Sequence, residues 1–201
     1  GQHHQQRGLS PGTRACAQAR GILYVRVHDI RAYARDAHRH ADDRPYGGGP
    51  GMVMQAEPLA RAVETIFLQE KLNQERAKQK VKIILTSASG APFTQKKAAV
   101  WAKKYEHIFL IAGHYEGVDA RAGKIIKDAT GIAVEEISIG PYTLTGGELA
   151  SLVIIDAVAR HLAGFLGKEA SLEERRHGIG VPVYTRPEIL EWAGKKYRVP
   201  K

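Results

Sequence analysis

Two short apolar runs, residues 107–112 and 132–139, each stop at glycines: Gly113 and Gly117 after the first, Gly140, Gly146 and Gly147 after the second. Runs of this length, ended by residues that tolerate backbone conformations a side chain forbids, read as buried strands, not helices. Residues 21–27 and 81–87 read as further strands, and helical stretches lie between the runs. Strands alternating with helices predict an α/β fold with a mainly parallel sheet and helices on both faces. In such a sheet ligands bind beyond the carboxyl ends of the strands, where both glycine clusters fall. A third cluster, residues 45–52 (PYGGGPGM), lies nearer the start.

The helices have legible signals. Pro58 suits a first helical position, Leu59, Ala62, Val63, Ile66 and Phe67 follow at helical spacing, and the polar continuation through Lys80 extends that helix. Thr94 caps a helix with Ala98, Trp101 and Tyr105 on one face, residues 117–127 read as the next, and residues 147–162 form one ended near Gly164. Residues 149–167 are the most apolar long stretch, but Asp156, Arg160 and His161 interrupt them, which predicts a buried helix and no membrane span. Cys16 is the only cysteine, so no internal disulfide or cysteine zinc cluster can form, and a reducing cytoplasm is expected. The polar start lacks the apolar core of a secretion signal. Three segments result: an ill-defined residues 1–20, a ligand-binding domain over 21–167, and a linker with the start of another domain over 168–201, where apolar periodicity is lost after Gly167.

The strand-end pocket is not built for phosphate. A phosphate loop needs a lysine and a hydroxyl after its glycines, and a dinucleotide fold needs three glycines at fixed offsets; neither spacing is present. Glu148 would stand in the first turn of the helix after Gly147, where it competes with any anion. A neutral or cationic ligand fits better. The surroundings differ in charge: the chain carries +9, yet residues 105–158 hold eight acids against three bases, a local −5 that leaves +14 elsewhere. A pocket inside a basic rim points to a polyanionic partner, the alternative being a merely solvated lysine-rich surface.

Residues 42–52 (DDRPYGGGPGM), 113–119, 138–149, 155–160 (IDAVAR) and 184–188 (YTRPE) together resemble the bacterial tRNA (guanine-N1)-methyltransferases, the TrmD family of the SPOUT class, in the same order from about Gly21 to Lys201. The resemblance implies methyl transfer from S-adenosylmethionine to N1 of the guanosine immediately 3′ of the anticodon, by a homodimer whose cofactor lies in a trefoil knot. It also implies a further strand at the start and a helical tRNA-binding domain after Tyr184-Thr185-Arg186-Pro187, both largely absent from these 201 residues. Two other readings stay open: a non-catalytic RNA-binding module of the same fold, and a SPOUT methyltransferase acting on a different RNA.

The resemblance assigns the cofactor to Leu85, Thr86, Ser87 and Ala88 at one strand end, Gly113 and Tyr115 at the next, and Ser138, Ile139, Gly140, Tyr142, Leu144, Gly146 and Gly147 in the last loop. Gly146 and Gly147 would leave no side chain between backbone and ligand. N1 of guanine carries a proton at neutral pH, so the reaction needs a base and a cation for the charge that reaches O6. Arg160 matches the family's arginine, and Glu116 its carboxylate against the guanine's donor edge. His114 stands where the family usually has arginine. The family's proton acceptor is an aspartate whose position holds Arg175, which cannot accept a proton; Glu174, with Glu173 second, is the expected substitute. Asp42 and Asp43 admit a magnesium site, which the resemblance implies, or a turn or cap. The spacing His38-Arg39-His40 lacks a third ligand, and no metal site is assigned.

Overall fold

A computed structural model of the chain describes residues 21–165 and 182–200. The backbone divides into two compact units, Gly1–Phe165 and Leu166–Lys201. In the first, a three-stranded parallel sheet has β3 (Val81–Pro92) at its centre, flanked by β4 (His107–Ile111) and β5 (Val134–Ser138). Before it come β1 (Asp42–Asp43) and β2 (Val53–Met54), an antiparallel pair, then the helices α1 (Ala56–Gln69) and α2 (Gln74–Lys80). Between and after the sheet strands run α3 (Gln95–Lys104), α4 (Arg121–Thr130) and α5 (Glu148–Ala159).

The alternation of the pleat splits the core into two layers. Ile83 and Ile84, successive residues with no exposed surface, point to opposite faces of β3. Ile83 joins Leu59, Val63 and Phe67 of α1, Ile126 of α4 and Ile111 of β4. Ile84 joins Ala98 and Trp101 of α3, Ile154 and Val158 of α5, and Ile137 of β5. The parallel sheet with helices on both faces thus follows from apolar residues on both sides of one central strand. Each such isoleucine contributes about 1.5–3 kcal/mol by burial.

Several element boundaries differ from expectation. Residues 23–29 form neither helix nor strand, and Tyr24 and Val27 remain exposed, because the sheet offers this segment no ladder. The long helix expected through Lys80 is two: Lys71 takes a left-handed φ of 53° and Leu72 turns in against the core. Residues 117–120 precede α4, since they are held beside β2 by the bonds Met54 N to Gly117 O (2.9 Å) and Asp119 N to Met54 O (3.0 Å). The expected buried helix after Gly147 is buried on one side only: Ile154 and Val158 face the core, whereas Leu149 and Val153, one turn apart, are 60% and 48% exposed. Among the described residues no helix is long and apolar enough to cross a membrane.

In the second unit, β6 (Ile189–Trp192) and β7 (Lys195–Arg198) form an antiparallel hairpin. Its two-residue loop, Ala193 and Gly194, has φ of 50° and 74°, the left-handed pair whose twist matches that of a hairpin.

Candidate functional site at the carboxyl ends of the parallel strands

The site begins where β3 breaks step with β5. Thr86 and Ala91 both stand opposite Ile137, so residues 87–90 leave the ladder as a bulged excursion carrying Ser87 and Ala88. Ser87 and Ser89 share a 3.0 Å hydroxyl hydrogen bond within it. The chain returns at Gly90, where a Cβ would lie 2.5 Å from Ile137 N and 2.8 Å from Glu136 O. Only glycine lets the excursion close against β5. Sequence reasoning missed Gly90, whose single signal was a glycine inside a strand pattern.

Thr86, Gly113 and Gly147 meet at one point. The Thr86 hydroxyl donates to Ile111 O (3.1 Å), and Gly147 N donates to Gly113 O (2.7 Å). A Cβ on Gly147 would fall 2.0 Å from Thr86 Oγ1 and 2.8 Å from Ala112 Cα. Gly147 therefore also has a structural role: its Cβ position faces the Thr86 hydroxyl and the Ala112-Gly113 backbone, and its smallness lets the β5 loop lock onto the end of β4. Beside it, His114 and Gly146 form an antiparallel bridge, and the Leu85 side chain lies close to Gly113.

The loop after β5 is shaped by its own polar groups. Ser138 Oγ donates to Gly140 O (2.9 Å) and accepts from Gly140 N (3.2 Å), while Phe93 N donates to Ser138 O (2.7 Å). The Tyr142 hydroxyl donates to Ile139 O (3.2 Å), folding its ring across Gly140. Ile139 is partly buried in the second core layer, whereas Tyr115, Tyr142 and Leu144 keep 49%, 51% and 37% of their surface exposed. Backbone turns and apolar walls thus converge without a lysine, and Glu148 opens α5 beside them. An acid in that first turn, with no lysine beside it, disfavours an anionic ligand there.

Glu116 sits on the turn between β4 and α4. Its backbone N donates to Met52 O (3.1 Å) and its side chain crosses Gly51, whose φ of 84° and lack of Cβ admit it. The glycine-rich segment is thereby joined to the β4 turn. His114 N donates to Met54 Sδ (3.0 Å), a further tie that a two-residue strand could not signal in advance. Tyr115, at φ 58°, directs its hydroxyl toward Arg31 Nη2 (3.5 Å). The next acid, Asp119, is held below the usual carboxylate range chiefly by side-chain hydrogen bonds from Arg121.

Asp42 pairs with Arg31 (3.1 Å), and Asp43 accepts from Arg44 N (2.7 Å), so each carboxylate has a local structural role. His40 pairs with Asp36 (2.6 Å), and among the described residues no group of three metal-ligating side chains occurs. Arg160 is half-buried at the C-terminal end of α5, at the other end from Gly147. Glu173, Glu174 and Arg175 lie outside the described residues. A cleft of about 270 Å³ between Tyr33, Asp36, Glu57 and Arg61 shares no residue with the strand-end group, and its charges pair among themselves.

The model of the family described as tRNA (Guanine-1)-methyltransferase TrmD matches residues 7–201. A protein of Moorella thermoacetica named tRNA (guanine-N(1)-)-methyltransferase is 48% identical over 174 residues, 85% of this chain and 64% of its own length. Proteins of the same name from Carboxydothermus hydrogenoformans and Frankia alni are 45% and 43% identical, over 85% and 89% of this chain and 62% and 63% of their own lengths. The chain therefore spans somewhat under two thirds of the length of these relatives.

Proposed function

Because the chain belongs to the TrmD family of tRNA (guanine-1)-methyltransferases, we propose that it transfers a methyl group from S-adenosylmethionine to N1 of the guanosine immediately 3′ of the anticodon. The observation that carries the reading is the convergence of Thr86, Gly113 and Gly147, which brings the three expected cofactor segments to one place. Residues 85–88, Gly113, Tyr115 and the 138–147 loop hold the cofactor, with Ile139 and Leu144 as walls, inside the trefoil knot of the SPOUT class. The exposed rings of Tyr115 and Tyr142 supply further apolar surface. The enzyme acts in the cytoplasm, where its tRNA substrate is.

S-adenosylmethionine supplies an electrophilic methyl group on its sulfonium. Glu116 receives the guanine's donor edge, and Glu174 removes the N1 proton, leaving the nitrogen lone pair free to bond to the methyl carbon as the carbon–sulfur bond breaks. Arg160 donates to O6, where the negative charge spreads, and in-line positioning supplies much of the remaining rate. Gly147 and Arg160 stand thirteen residues apart along α5, about 20 Å at helical rise. One arginine side chain does not span that distance, which supports a homodimer in which Arg160 of a second copy meets the base. The exposed Leu149 and Val153 on α5 support the same homodimer.

Calorimetric titration separates this pocket from a nucleotide-phosphate site. S-adenosylmethionine should bind and ATP should not; tight ATP binding with no response to S-adenosylmethionine would overturn the reading. Arg175 at the family's aspartate position favours one second reading, a module that binds RNA and cofactor without catalysis. Cofactor binding without methyl incorporation into any tRNA would assign that reading.

A further inference from the structure

We infer that the β6–β7 hairpin is a contact surface for unpaired RNA bases, with Trp192 and Tyr197 as stacking platforms and Lys195 as a phosphate partner. The register pairs Leu190 with Tyr197 and Trp192 with Lys195, so these four side chains share one face of the ribbon. Trp192 is 69% exposed and Tyr197 54%. The strands carry a single acid, Glu191, and its ion pair with Lys196 (3.1 Å) on the opposite face neutralises it. Lys195 and Arg198 have no carboxylate partner among the described residues.

Open aromatic faces beside an unpaired ammonium match a nucleobase beside its phosphate. An apolar protein partner fits less well, because lysine is depleted from the centres of protein interfaces and here stands directly opposite the tryptophan. Stacking also requires bases not already stacked in a duplex, which selects single-stranded loops. The tight Ala193-Gly194 turn fixes the strand pairing, so the platforms are ordered before RNA arrives. The inference rests on the reading that the chain's substrate is RNA, and it adds a contact outside the strand-end site.

The test uses the whole chain and a fluorescein-labelled short oligouridylate, followed by anisotropy across a salt series. Trp192→Leu and Tyr197→Leu keep apolar bulk for the cross-strand contacts but remove the ring faces. Each should weaken binding about tenfold with an unchanged salt slope. Lys195→Ala should instead lower the salt slope by about 0.7, the value for one phosphate contact on a single strand. Trp101 is buried, so quenching of the exposed tryptophan by the oligonucleotide reports on Trp192. Duplex RNA of the same length should be insensitive to Trp192→Leu.

Unchanged oligouridylate affinity in both leucine variants would overturn the inference, as would an equal loss on duplex RNA. Self-association abolished by Trp192→Leu, with RNA binding intact, would overturn it in favour of a second copy of the chain. Methyl transfer by the unmutated chain is measured alongside. Its absence with the stacking contact intact would count against the proposed function alone, and its presence without the stacking contact against this inference alone.

Discussion

Replacing Gly147 with alanine tests how the site is held together. The added methyl would sit 2.0 Å from Thr86 Oγ1 and 2.8 Å from both Ala112 Cα and Gly113 N. The threonine hydroxyl could swing away by surrendering its bond to Ile111 O, but the two backbone atoms could move only with β4. Overpacking of this kind costs about 1–3 kcal/mol. Loss of the Gly147 N to Gly113 O bond adds about 0.5–1.5 kcal/mol. Together they predict about 2–4 kcal/mol, or roughly 4–16 °C in Tm for a chain of this size. Thermal unfolding by circular dichroism reads that shift, and calorimetry should show S-adenosylmethionine affinity falling with it. Gly146→Ala is the control: its methyl meets chiefly the movable carboxylate of Glu148, so its Tm should drop far less. Thr86→Ala combined with Gly147→Ala should restore part of the loss, since only the backbone contacts remain. An unchanged Tm in Gly147→Ala would refute the locking role.

Three further outcomes are expected. Arg160→Ala should fold and bind S-adenosylmethionine normally yet lose about a hundredfold or more in turnover, as for removal of one donor to a developing oxyanion; wild-type turnover would remove Arg160 from the mechanism. Glu174→Gln should slow single-turnover transfer steeply at neutral pH, with the defect shrinking as pH rises and guanine loses its proton unaided; an unaltered rate here and in Glu173→Gln would place the base elsewhere. Burial raises the pKa of Glu135, but Lys82 and Lys97 outweigh it and leave the group below its ordinary 4.5. Its folded pKa is thus depressed, so its stabilisation is present above that pH and is lost as pH falls below it. Glu135→Gln should therefore cost about 1 kcal/mol at neutral pH, after allowing for its partial exposure, and almost nothing in strong acid; a pH-independent difference would contradict the pairing.

The sheet was legible because its signals are local. Ile83-Ile84 and residues 107–111 are apolar on both faces, Thr94 caps α3 by accepting from Lys97 N (3.2 Å), and Gly131 ends α4 at a φ of 75°. What escaped sequence reasoning depends on contacts far apart along the chain. The excursion at 87–90 exists because Gly90 can approach β5, and nothing near Gly90 announces Glu136 and Ile137 as its neighbours. The break at Lys71 is set by Leu72 packing into the core, against a helical propensity that favours continuation. For the candidate site, the glycine clusters mark segments that the fold brings together at Thr86, Gly113 and Gly147, but composition could not say what each glycine faces. Gly147 faces Thr86 and Ala112, a fact carried only by the tertiary fold. Arg160 likewise reads as a neighbour of the site in motif order and lies at the far end of α5 in space.

The central claim is that this chain methylates N1 of the guanosine beside the anticodon. Its most direct test is labelled-methyl transfer from S-adenosylmethionine to two tRNA transcripts that differ only in G or A immediately 3′ of the anticodon. The account predicts label in the first transcript alone, recovered as 1-methylguanosine after digestion to nucleosides. Equal labelling of both transcripts, or no labelling of either by a chain that binds the cofactor, would contradict it.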